Sequence, residues 1–425
     1  MYKFFKKREK EIRETILYKN YIKPIKYKVK YQFKKIYLSI IKKSYILLPY
    51  STAEKNCSHI DIIKKGKNKV TIPVFFNENK IFRNQIEIIE PEISINIFEN
   101  ASAISGTSLI IKDDKAFHPD VFLPHKHVSP SEVNGYIDYD DTYKVLNTYI
   151  NKNLRKKEGI ILFGMITENW AHWLLEVLPK LILIDQHGID KKIPIYIDSN
   201  VHENFIQSLK LINSNKREIH YIKKWTRVDF EKLVFISNTS FTPPFFSFYF
   251  KNKVYPYPSK DNHIFSKHAL SLFKKTVIEK TNSKYNYKKI YIHRSDKNAG
   301  NKRPITNLYY IETLAMQKGY IKLDPGDYNF EEQAEIFMNA EKIISPVGAS
   351  LVNTIFCKNK CKILALTGSF YRADHYYFSN LMGILGHELY LLKSKFIKDT
   401  SDSLNITFEY EEKDIFNAIN FFDDQ

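Results

Sequence analysis

The chain has 425 residues, 44% apolar and 15% aromatic, with only 13 Gly and 16 Pro. That is more than one hydrophobic core organises, and too apolar and Gly/Pro-poor for a largely disordered chain. The net charge is +18, but residues 1–50 hold 15 Lys and Arg against three Glu, so the remaining 375 residues carry only +6, unlike a uniformly basic nucleic-acid binder.

Residues 1–50 read as a basic extension. Phe33, Ile36, Tyr37, Ile40 and Ile41 recur at three-four spacing beside Lys34, Lys35, Lys42 and Lys43. That pattern predicts an amphipathic helix, lying on an anionic membrane surface or packed on its own domain. Its aromatics form no base-stacking platform, so no nucleic-acid partner is expected. No apolar run is long enough to span a bilayer and no signal-like stretch opens the chain, which predicts a cytoplasmic protein, peripheral on the inner face of the membrane. Cys57, Cys357 and Cys361 are too few for a disulfide framework and read as ordinary thiols.

Residues 51–150 are β-rich and irregular, with short extended runs at 70–76, 86–89 and 108–112, and a turn at Asp113-Asp114. His125 and His127 are read as incidental loop residues. From about residue 159 the rhythm changes. A strand over 159–164, a helix from 169 to 185, a strand at 194–198, a helix at 201–213 and strands near 219–222 and 232–236 predict parallel β-α-β units. The Pro- and Phe-rich stretch 242–258 breaks the rhythm and marks a domain boundary. A second alternating block has strands over 289–293, 320–323, 342–345 and 362–366 and helices over 306–318 (ended by Gly319), 330–340 and from Leu351. Asn329 with Glu332 forms a capping-box signature before the second of these. In the tail, Ile415, Ala418, Ile419 and Phe422 have helical spacing. The expected fold is α/β, with domains at 51–258 and 259–395 and a tail helix in 396–425.

Ligands of open α/β sheets bind at the carboxyl ends of strands. There, Arg294 follows a strand and Arg303 comes nine residues later, suited to fork-shaped hydrogen bonds to a diphosphate. Gly348, Ala349 and Ser350 lie in a small-residue turn that lets backbone N–H groups approach an anion. Glu332 is accounted for as a cap. In the first block, Asn169-Trp-Ala-His-Trp-Leu-Leu-Glu-Val-Leu-Pro179 has an apolar face of Trp170, Trp173, Leu174, Val177 and Leu181. His172 and Glu176 share another face, either paired with each other or available as a general base. Asp198, at a strand end, is an alternative base.

The segment Asn169–Lys180 resembles the hallmark of glycosyltransferase family 61. So, in order, do Ile290-Tyr-Ile-His-Arg294 with Arg303, Phe330-Glu-Glu-Gln333, Asn339–Ile344, Pro346-Val-Gly-Ala-Ser-Leu-Val-Asn353 and Lys362–Leu366. The resemblance spans roughly residues 155–395. It implies a GT-B-type fold, two Rossmann-like domains facing a cleft, and inverting transfer from a nucleotide-sugar donor to a glycan or lipid-linked acceptor. A capsular or surface polysaccharide is the implied setting. No metal or other cofactor is implied. Carried over, Arg294 and Arg303 contact the donor phosphates, Gly348, Ala349 and Ser350 lie beneath them, Glu332 sits near the donor sugar, and His172 and Glu176 face the acceptor. One departure stands out: the family's His before the Gly-Ala pair is Val347 here. That difference motivates an alternative, a non-catalytic nucleotide- or carbohydrate-binding scaffold.

Overall fold

The computed structural model describes residues 42–76, 85–118, 137–140, 145–150, 153–164, 166–199, 201–242, 260–282, 284–295, 303–370, 375–397 and 407–425. The helix expected within residues 1–41, His125 and His127, and most of the 242–258 boundary lie outside these residues. The chain is α/β, with two large sheets flanked by helices.

The first sheet has eleven strands among the described residues. Its parallel part comprises Asn153–Ile161, Ile195–Asp198, Ile219–Ile222 and Arg227–Ile236, in the spatial order third, second, first, fourth. Helical crossovers join the first three in turn, as parallel neighbours require, and the fourth follows Ile219–Ile222 after four residues and pairs with Asn153–Ile161. The β-rich lead-in continues the same sheet in mixed pairing. Ile93–Ile104 runs antiparallel to Arg227–Ile236 and begins the extension.

Lys43–Pro49, placed above at the end of a helical extension, is a strand of this sheet instead. Tyr45 and Leu47 are buried while Ser44 and Ile46 are exposed. This period-two burial overrides the three-four spacing upstream.

The second sheet is parallel throughout, in the order Ile321–Leu323, Lys289–Ile292, Lys342–Pro346, Lys362–Phe370, Glu388–Ile397, Val74–Phe75. The last strand comes from the lead-in, more than 300 residues away in sequence from its partner. Both sheet faces are apolar. Ile290, Ile343, Ile363 and Leu389 point to one core, Tyr291, Ile344, Leu364 and Tyr390 to another. Hence these strands read as nearly continuous apolar runs. The second core is closed by the tail helix Glu412–Asp424, which buries Ile415, Ala418, Ile419 and Phe422.

The first core is shared. It joins Leu162, Trp173 and Phe205 of the first unit to Phe330, Val352 and Leu389 of the second. Helix Phe330–Met338 starts with the capping box foreseen at Asn329 and Glu332. Gly319 has φ 82°, the left-handed conformation that ends helix Leu308–Gln317. The segment from Ala349 to Phe356 is a 3-10 helix. Cys57, Cys357 and Cys361 are free thiols, the latter two fully buried in the first core.

Candidate active site

In the second sheet, Lys289–Ile292 has its two crossovers on opposite sides, toward Ile321–Leu323 and toward Lys342–Pro346. A crevice opens where the strand order reverses, outside the carboxyl ends of these strands. Arg294 leaves the first of them and Val347-Gly348 the second. Arg294 Nη1 donates to the Val347 carbonyl at 3.3 Å, and Arg303 Nη1 donates to the same oxygen at 3.2 Å. Two cations thus meet on one acceptor. Burial, then the neighbouring Arg294 charge, lowers Arg303 to about 10. Burial lowers Arg294 as well, against the favourable charge of Asp324.

Gly348 makes this seat possible. A Cβ there would lie 2.5 Å from Arg294 Nη1, closer than any side chain tolerates, so the guanidinium would have to move. Glycine is required here for close approach, since its backbone is simply extended at φ 173°. After it the 3-10 helix begins, placing Ala349 and Ser350 at its N-terminal, partially positive end.

A cavity of about 240 Å³ opens beside Arg294, Ala349 and Ser350; Arg303 and Gly348 are not among its lining residues. Arg294, Asp324, Ala349 and Ser350 wall it on the second unit; Trp170, His202 and Asn204 wall it on the first. Asp324 is engaged structurally. One of its oxygens accepts from Ser295 Oγ at 2.5 Å and the other from the Gly326 N–H at 2.9 Å. Among the polar residues that line this cavity, His202, Asn204 and Asp324 went unremarked in sequence, and His293 was named only as part of the Ile290–Arg294 segment, with no role of its own.

A chain of amides fastens the two units beside the cavity. Trp170 Nε1 donates to Asn353 Oδ1 at 2.8 Å, and Asn353 Nδ2 donates to Gln333 Oε1 at 2.9 Å. Gln333 Nε2 then donates to the Tyr328 carbonyl at 3.0 Å, which also accepts from Asn204 Nδ2 at 2.9 Å. Asn353 is wholly buried, so its amide is costly unless both ends are satisfied, as they are here. A lone Asn in the apolar run Leu351-Val-Asn-Thr-Ile-Phe356 was the available signal. Glu332, by contrast, is not among the cavity's lining residues. Its carboxylate accepts from the Asn329 N–H at 3.0 Å, completing the cap.

His172 and Glu176 sit on the first unit, and neither lines this cavity. They bond directly, Nδ1 to Oε1, at 2.9 Å. Burial works against a charged His172 ring, but Glu176 outweighs it, so the ring keeps its proton to higher pH than a free imidazole. Their helix begins as Trp170–His172, widens to a π-turn over Trp173–Val177 and continues as Leu178–Gln186. Pro179 explains the widening. It has no N–H for the Leu175 carbonyl four residues back, and its ring crowds that oxygen. Thr239 and Ser240 hydroxyls donate to the freed carbonyl instead, at 3.0 and 2.7 Å.

The same helix face continues to Lys180, buried and lowered to about 8 by that burial, with Glu176 opposing the shift. Its Nζ donates to Asn238 Oδ1 at 2.8 Å. Burial of Tyr377, with the Glu176 charge added, pushes its phenol well up. Asp198 is closed in by donors: the Gly106 N–H at 2.6 Å, Thr167 Oγ1 at 2.7 Å and the Gly164 N–H at 3.3 Å. It braces three segments of the first unit. His59, Asp61 and Glu92 bring potential metal-ligating atoms within 4.8 Å of one another, and His59 and Glu92 wall a separate cavity of about 280 Å³. No helix of the described residues is long and apolar enough to cross a membrane.

Residues 170–364 match the family model described as Glycosyltransferase 61. No curated protein matches the chain.

Proposed function

We propose that the chain is a glycosyltransferase of family 61, whose model residues 170–364 match, and that it transfers a sugar from a nucleotide-sugar donor, with inversion, to a glycan or lipid-linked acceptor. The observation that carries the donor reading is the pair of guanidiniums, Arg294 and Arg303, converging on the Val347 carbonyl at the switch point of a parallel sheet. Two neighbouring half-buried cations repel each other, and a diphosphate relieves that repulsion while accepting forked hydrogen bonds. As the anomeric C–O bond breaks, its electron pair goes to the leaving phosphate oxygen, where these fixed charges meet it. The acceptor hydroxyl forms the new C–O bond and gives its proton to a base, the role assigned to His172 with Glu176.

In this reading the unit up to about residue 258 handles the acceptor and residues 259–395 hold the donor across a GT-B-type cleft, without a resident metal. Surface or capsular polysaccharide synthesis at the inner face of the membrane, with residues 1–50 on anionic lipid, is the setting that the basic segment supports.

Titrating the full chain with UDP, GDP and dTDP by calorimetry tests the donor site. Arg294→Met removes two charge-assisted donors and should weaken the nucleotide that binds by about 100-fold. Equal affinity in the variant rejects the donor reading. A second reading, a nucleotide-binding scaffold without turnover, draws on one observation. His172 and Glu176 do not line the cavity that holds Arg294. Nucleotide binding with no sugar transfer from any cognate donor, given glycan acceptors, would favour it.

A further inference from the structure

His293 lies between strand Lys289–Ile292 and Arg294, and its ring lines the same cavity as Arg294, Ala349 and Ser350. Its backbone is fixed by the N–H donating to the Leu323 carbonyl at 2.8 Å. Its Nδ1 is 2.6 Å from Glu312 Oε1, and Glu312 is only 7% exposed. The other Glu312 oxygen, Oε2, accepts from Lys322 Nζ at 2.6 Å. A buried carboxylate therefore holds the ring from behind, and among the described residues Nε2 has no partner. A ring tethered at Nδ1 in this way presents Nε2 in one direction only.

We infer that His293 is a third donor to the diphosphate of the bound nucleotide, its Nε2–H hydrogen-bonding a phosphate oxygen while Glu312 accepts from Nδ1–H. This rests on the donor-site reading above and extends it to a residue with no assigned role. The charges around the ring are consistent with that task. Arg294 and Arg303 stand on one side, Glu312 and Lys322 behind, and Asp324 at the cavity wall. Nδ1–H donated to Glu312 leaves Nε2 a lone pair in the neutral ring, so the bond to phosphate exists only in the imidazolium form. During transfer the ring keeps both protons. Its part is a hydrogen bond to the leaving oxygen as the electron pair arrives there, with no proton given to the product.

The test is the affinity of wild type and His293→Gln for the nucleoside diphosphate that wild type binds, measured by calorimetry from about pH 5 to about pH 8. Titration of the nucleotide itself is common to both proteins and cancels in the ratio of affinities. The expected ratio is about tenfold or more in favour of wild type at the acid end and smaller at the alkaline end, since a neutral ring that donates Nδ1–H to Glu312 has no Nε2–H to give. A ratio near one at every pH overturns the inference and leaves the donor site standing. So does a tenfold ratio that stays constant with pH, which marks loss of packing. Failure of wild type to bind any of UDP, GDP or dTDP overturns both. His293→Asn serves if the Gln variant unfolds, since the half-buried ring sits at the edge of the cavity.

Discussion

Arg294 and Arg303 stand side by side on one carbonyl oxygen, whereas His172 and Glu176, on the other unit, stand one helical turn apart and neutralise each other. The first pair sets like charges side by side, with the Asp324 carboxylate favouring Arg294. Each cation makes the other less comfortable, and Arg303 drops to about 10 through burial and its neighbour. The second pair is complete, a carboxylate answering an imidazole at 2.9 Å. Like charges brought side by side favour an added anion, whereas a carboxylate–imidazole pair is poised to take a proton from a hydroxyl. The difference separates a donor-binding site from a proton-handling one.

The widest test of that separation is Glu176→Gln. On the proposed reading it should cut kcat about 100- to 10,000-fold, the span typical for loss of general base chemistry, while nucleotide affinity stays as in wild type. Glu176 also holds the His172 proton on, so its loss should move the acid limb of the rate profile to lower pH. Steady-state rates against pH, alongside calorimetry, check both. A fall in nucleotide affinity matching the fall in rate would break the division between the two regions.

A smaller effect is expected from Gly348→Ala. The added methyl meets Arg294 Nη1 and displaces one of the two guanidiniums, weakening nucleoside diphosphate about tenfold with the fold and the His172–Glu176 pair intact. Circular dichroism with the same titration decides it, and unchanged affinity would detach Gly348 from the donor site. The smallest is Asn353→Ala. It leaves Trp170 Nε1 and Gln333 Oε1 without their partner at the junction of the two units, at a cost of about 1–3 kcal/mol. Chemical denaturation measures it. No loss of stability would mean that the shared core alone holds the units together.

Much of the second unit was legible along the chain. Strands buried on both faces leave apolar runs, Asn329 and Glu332 mark a cap, and the tail shows its buried stripe in Ile415, Ala418, Ile419 and Phe422. Arg294, Gly348, Ala349 and Ser350 could be placed because a residue following a strand lies at its carboxyl end whatever the order of the sheet. The lead-in was less legible. Lys43–Pro49 was included in the basic extension over 1–50 with no strand foreseen, and only pairing with Lys115–His118 and Val145–Thr148 makes it one. Glu332 carried a place near the donor by resemblance; in the structure one of its oxygens caps its own helix.

What the sequence by itself determined is local: element type, caps, the amphipathic tail and the residue kinds at strand ends, all set by periodicities and hydrogen-bonding habits that act over a few residues. Tertiary structure decided the rest. It placed Val74–Phe75 on the edge of a sheet built from residues 289–397, brought Arg303 to the carbonyl that Arg294 already holds, and joined Trp170 to Asn353 across 183 positions of chain. Such meetings depend on which apolar faces find each other when water is expelled, and the hydrophobic effect is blind to sequence distance.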